Sequence, residues 1–214
     1  MPNLTATLPS VRDQAERLIE LGIHEIAGLP ADRVREAVRQ PVGAALLVAH
    51  HSAVPASTLA PMLSRAGKPG FVVNDMTDVD EFAPIATVEI PDASLYLVHD
   101  LDRGDAMSNW SPDEALPAIA EAGRTPLTLT EGLHWLLQRP DALERGRCFM
   151  TIGSRRHKPS GALDARTPAV WISNGTGRDG TTNRDAPKVG WCWAGNRHTW
   201  LGFASAGGRF TLDG

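Results

Sequence analysis

The run VGAALLVA (Val42–Ala49), small or apolar throughout, most constrains what this chain can fold into. A stretch of that length without a polar residue is buried on both faces and reads as a strand inside a covered sheet; it is too short to cross a membrane. Further strand-like runs follow it: FVV, IATVEI and SLYLVHDL, all within 42–101 and joined by turns rich in Asp and Pro. A second set lies within 147–206: RCFMTI, PAVWISN, VGWCWAG and TWLGFASA, reading as a meander. Between the two sets the pattern is helical. Ser111 is an N-cap before Pro112, with Asp113 and Glu114 complementing the dipole of a helix that stops near Gly123. TLTEGLHWLLQRP starts again at Thr128 or Thr130 and ends before Pro140. His134 on this helix reads as structural.

An N-terminal helix over 10–27, capped by Ser10, buries Ala15, Leu18 and Leu21 on one side. SAVPASTLAPMLSRAGKPG predicts a short helix ending at Gly67. Strands, then helices, then strands is the order of an α+β protein with a mostly antiparallel mixed sheet rather than a doubly wound one. We expect a single compact domain over 1–214.

Net charge is −4, so neither nucleic acid nor a membrane surface is an expected partner. The start, MPNLTATLPSVRDQ, has no signal-peptide pattern. Cys148 and Cys192 lack zinc-like spacing and read as small core residues in a reducing, cytoplasmic setting. Two polar loops, GSRRHKPSGALDART and NGTGRDGTTNRDA, exceed ordinary hairpin length and read as functional or mobile.

Three stretches carry candidate chemistry. HDLDRGDAMSNW follows a strand; Asp102 and Asp105 read either as carboxylates that hold or deprotonate an amine, or as Asx-turn residues, with Asn109 beside them. GSRRHK offers Ser154, Arg155 and His157 as an anion-binding loop or as a solvated basic loop, and Arg155 is nearest the strand. In GWCWAGNRHTW, Trp191 and Trp193 share a strand face opposite Cys192, as sheet core or as pocket wall. Asn196, Arg197 and His198 form the turn that follows, and Trp200 opens the next strand. No metal and no cofactor is expected: adjacent His50 and His51 face opposite ways, and no zinc, P-loop or dinucleotide signature is present.

Taken together, DRGDAMSNWSPDEALPAIAEAGRTPLTLTEGL, RCFMTIGSR, PAVWIS and GWCWAGNRHTWLGFASAGGR resemble the actinobacterial family labelled domain of unknown function 5701. The resemblance implies a cytosolic bacterial protein but supplies no reaction and no catalytic residues. This chain differs from the family's usual pattern in longer connections at His157–Thr167 and Asn174–Ala186, and in Arg197 where Pro is common, which marks a specialised member. The residues support two functional expectations. One is a cofactor-independent, lyase- or cyclase-type enzyme of specialised metabolism. It would act on a small polar or anionic amine substrate by elimination or ring closure, releasing sulfate or phosphate, with Asp102, Asp105 and His198 catalytic. The other is a non-catalytic binding or assembly subunit that meets a protein partner, another chain or a second copy, through its Trp-rich sheet.

Overall fold

Residues 8–40 and 43–212 are described by a computed structural model, which carries six α-helices and fourteen short strands among them. The N-terminal helices are α1 (Val11–Glu20), α2 (Ile23–Ile26) and α3 (Ala31–Ala37). They lead into β1 (Ala45–Ala49), α4 (Ala56–Leu59), β2 (Ser64–Arg65), β3 (Lys68–Pro69), β4 (Phe71–Val72), β5 (Ala83–Pro84) and β6 (Leu95–His99). The helical middle holds α5 (Pro112–Glu121), β7 (Thr125–Pro126) and α6 (Leu129–Gln138). The rest is β8 (Cys148–Met150), β9 (Ser154–Arg155), β10 (Arg166–Ile172), β11 (Pro187–Trp193), β12 (Leu201–Phe203), β13 (Ser205–Ala206) and β14 (Gly208–Thr211). The class is α+β.

The local signals act as their chemistry dictates. Ser10 accepts the Asp13 N–H at 3.1 Å. Ser111 with Glu114, and Thr128 with Glu131, close full capping boxes at α5 and α6. The helix expected over 10–27 breaks at Gly22, whose φ of +71° ends α1 and starts α2 in a new direction. The helix expected to reach Gly67 stops at Met62 instead. Ala66 and Gly67, both at positive φ, form the two-residue turn of a β2–β3 hairpin. IATVEI is not a strand; Ile85 closes a turn with Val88 after β5. Val42 lies outside the described residues.

Two main sheets result. One has the order β1-β6-β14, all antiparallel. β1 is buried along its whole length, yet it has only β6 as a strand neighbour. Side chains seal its other edge. Gln14 of α1 donates to the Ala45 carbonyl at 2.8 Å and accepts the Leu47 N–H at 2.9 Å. His134 of α6 accepts the Ala49 N–H at 3.2 Å, while its Nδ1 donates to the Thr130 carbonyl at 2.9 Å. These are the polar groups that a buried edge cannot leave unpaired.

The second sheet, β12-β8-β10-β11-β4, is mixed rather than a simple meander. β8, β10 and β11 are antiparallel neighbours, but β12 returns parallel to β8 at the far edge, and β4 lies parallel to β11. α6 lies between the sheets, so close to β8 that a Cβ on Gly132 would meet Thr151 at 2.4 Å. Its helix packs Trp135 edge-on against Phe149. The opposite face of the sheet takes α5: Ala115 and Ile119 join Cys148, Met150, Leu201 and Phe203 in a second apolar cluster. Both cysteines are free, Cys148 buried and Cys192 half-buried. No helix among the described residues is long and apolar enough to cross a membrane.

This topology positions the candidate site. To pass from β11 to β12 the chain must cross three strand spacings, about 14 Å, over the end of the sheet. Residues 194–200 make that crossing, and the N-terminus of α5 sits beneath them.

Candidate functional site

Two segments are joined where the crossover meets α5. The Asn109 N–H donates to the His198 carbonyl at 3.0 Å, and the Asp113 N–H to the Ala194 carbonyl at 3.0 Å. Asn109 achieves this at a φ of +68°, a conformation that Asn tolerates better than most residues. Arg197 forms a bidentate pair with Glu114, its Nε at 2.9 Å. Glu114 also accepts from the Ser111 N–H and hydroxyl, both at 2.9 Å. Arg197 first, then the Ser111 donors, hold the Glu114 carboxyl down at about 2. Beside this contact lies an open cleft of about 630 Å³. It is lined by Pro117, Ala118 and Glu121 of α5 together with Asn109, Trp110 and Arg197.

Tryptophan marks the surface here. Trp110, Trp193 and Trp200 are 41%, 48% and 47% exposed, whereas Trp135 in the core is 8% exposed. Trp191 is half-buried and meets Trp193 edge-to-face at 4.6 Å, the shared face expected from strand alternation. His198 is half-buried and stacks on Trp200 at 4.5 Å with only 14° between the rings.

The residues expected to form one site separate into groups. Asn109, Trp193, Asn196, Arg197, His198 and Trp200 lie on the two joined segments. Arg155 sits underneath: its guanidinium is committed to the Asp164 carbonyl, with Nε at 2.9 Å, and reaches Asp113 at 3.7 Å. Asp102 accepts the Gly104 N–H at 2.9 Å, an Asx-turn. Asp105 is bound by Arg103 at 3.1 Å and Arg147 at 3.3 Å. Ser154 accepts the Leu129 N–H at 2.9 Å and so supports the start of α6. His157 pairs in a bridge with Leu163. Neither aspartate lines the cleft.

Both long loops are tied down. Arg166 reaches Asp78 at 2.6 Å and Asp164 at 3.0 Å, and Lys188 reaches Asp179 at 2.5 Å while lying over the Trp171 ring. Among the described residues no group of three His, Cys, Asp or Glu side chains is placed to hold a metal. Sequence reasoning missed Trp110, Pro117 and Glu121 as site residues. The available signal was Asp113-Pro117-Glu121 at helical spacing, directly after an exposed-type Trp before the cap.

Gly104 fixes how the segment before Trp110 approaches the sheet. Its φ is +75°, and a Cβ there would lie 2.0 Å from the Phe203 carbonyl oxygen. Gly104→Ala is expected to cost about 2 kcal/mol and to shift the 105–110 backbone. Urea unfolding and the amide spectrum of Asn109 and Trp110 check this; unchanged values for both would mean that the loop is not held there.

The model of a family of unknown function, DUF5701, matches residues 17–212. No curated protein and no solved structure matches.

Proposed function

We propose, for a chain that belongs to DUF5701, a family of unknown function, that it acts as a binding component whose Trp110, Trp193 and Trp200 face takes a protein partner. The observation that carries the reading is the exposure of these three indoles on two segments bonded to each other. Exposed Trp is costly in water and is a preferred anchor at interfaces. The two backbone hydrogen bonds that join the segments add support, since backbone ordered before binding loses less freedom on binding. Panning a random peptide library on the purified chain is expected to enrich binders. A Trp193→Ala/Trp200→Ala variant with unchanged thermal stability should lose them by tenfold or more in affinity, because aromatic anchors each contribute about 2 kcal/mol. No enrichment, or equal enrichment on the variant, would overturn the proposal.

A second reading is favoured by one feature, the His198 ring held flat on Trp200 next in sequence to the cleft-lining Arg197. It is the cofactor-independent enzyme: His198 would serve as base in an elimination or ring closure, and Arg197 would release Glu114 to hold the departing oxyanion. Wild-type chain would then deplete a component of a bacterial metabolite extract that His198→Ala leaves intact. Identical extracts after both treatments would remove this reading.

A further inference from the structure

The three-stranded sheet leaves one of its edges bare. Along β1, Ala45, Leu47 and Ala49 turn backbone groups outward, and Gln14 and His134 take them up. The residues between them face β6, and the His50 N–H continues that alternation by donating to the Ser94 carbonyl at 3.0 Å. Tyr96 and Val98 therefore bond β1, which leaves Leu97 and His99 to bond β14. Their partners Phe210 and Gly208 face inward, and Arg209 and Thr211 turn their N–H and C=O groups to the free edge. β14 has no strand neighbour but β6, and none of these outward groups has a hydrogen-bond partner among the described residues. Nothing on β14 discourages pairing. Natural edges are commonly protected by Pro, Lys or an exposed charge. The strand reads GRFT, and its one charged side chain, Arg209, is 4% exposed and committed to Glu131. Phe210 is half-buried and Thr211 exposed.

We propose that the chain forms a two-fold dimer in which β14 of one copy pairs antiparallel with β14 of a second copy. In the register that uses every outward group, Arg209 of each copy lies opposite Thr211 of the other. Phe210 then faces Phe210 of the second copy across the axis, at a non-hydrogen-bonded position where cross-strand side chains approach nearest. The two three-stranded sheets become one continuous sheet. The edge itself selects a second copy over a foreign segment. A second β14 is already ordered in its own sheet, whereas a flexible segment would lose chain freedom on pairing. With Arg209 turned inward, the edge meets its copy without charge repulsion. A two-fold contact also uses up both bare edges, while an added foreign strand would present a new one. The contact makes no use of the Trp face and goes beyond the binding role placed there.

Sedimentation velocity on the full chain from about 2 to 500 µM should show a reversible monomer–dimer equilibrium in the micromolar range, the scale of an edge contact smaller than a standard interface. Thr211→Pro removes an outward donor while sparing the bonds to β6. It should weaken the dimer about thirtyfold or more, the scale of one lost hydrogen bond per copy. Thr211→Val keeps the donor and should dimerise as the wild type does. Trp193→Ala/Trp200→Ala should dimerise equally well. Circular dichroism melts establish that the variants fold. Amide exchange in the wild-type chain gives a reading that needs no variant. The Arg209 and Thr211 N–H groups should be protected at high concentration and exchange freely on dilution, while those of Gly208 and Phe210 stay protected throughout. A monomer across the whole range, a dimer that Thr211→Pro leaves intact, or one that the Trp variant abolishes would overturn the inference. Exchange at Arg209 and Thr211 that ignores concentration would overturn it as well.

Discussion

Replacing Arg209 with Leu is expected to remove about 4 kcal/mol of stability, the largest single effect anticipated in this protein. Glu131 is completely buried at the first turn of α6. Each of its carboxylate oxygens takes two donors. Oε1 accepts from the Tyr96 hydroxyl at 3.0 Å and Arg209 Nε at 2.5 Å; Oε2 accepts from the Thr128 N–H at 2.8 Å and Arg209 Nη2 at 2.7 Å. Arg209 also donates to the Thr125 hydroxyl at 2.8 Å and the Pro126 carbonyl at 2.9 Å. The pair joins β14, β6 and the cap of α6. Without Arg209, the carboxylate keeps neutral donors but loses its countercharge in a site with no water access. The Tyr96 hydroxyl cannot supply a proton, since burial pushes its pKa far up. Urea unfolding should show the loss, and a melting point lower by about 10 °C should accompany it. The double variant Glu131→Gln/Arg209→Leu should recover part of that stability because it leaves no buried charge. Hydrogen exchange should accelerate first in 208–211. A single variant within 1 kcal/mol of wild type, by the scale of exposed pairs, would show that the pair is solvated.

The parts of this fold written in local chemistry were legible. Ser111 and Thr128 cap helices because each has its Glu three residues on, and nothing distant is needed. The run that lacks any polar residue reads as a buried strand, and within it Ala45–Ala49 form one. Trp191 and Trp193 share a face because a strand alternates. Other features depend on partners far along the chain. Gln14 looks like helix surface until β1 arrives to use both ends of its amide. Arg155 looks like an anion ligand until the loop brings the Asp164 carbonyl back to it. The same holds for the cleft. Asp113 and Glu114 suit a helix start, and only the crossover from β11 to β12 turns that start into one side of a groove. The parallel return of β12 has no signature in its own residues, since parallel and antiparallel edges use the same apolar side chains.

The edge of β1 yields a pH dependence that can be measured. His134 is fully buried; desolvation pushes its pKa down to about 4, against the smaller opposing pulls of the Thr130 carbonyl and Glu131. Its neutral form is the one the fold uses, because Nε2 must accept from Ala49 while Nδ1–H donates to Thr130. In the unfolded chain the ring has an ordinary pKa near 6.5. Between these values the unfolded state binds a proton that the folded state refuses, so stability falls as pH drops from about 6.5 towards 4. The difference corresponds to a total of about 3 kcal/mol. His51, whose pKa is also lowered by burial and by His50, adds to the same slope. Below pH 4 a different set takes over: Asp164, held at about 2 chiefly by Arg166, begins to bind protons preferentially in the unfolded state. Urea unfolding at intervals from pH 7.5 to 4.5 should therefore show a steady decline for wild type. His134→Gln should be less stable at pH 7.5 but flatter through this window, keeping only the slope that His51 contributes. Equal slopes in the two proteins would mean that the ring is protonated in the fold, and the edge of β1 would then need another acceptor for the Ala49 N–H.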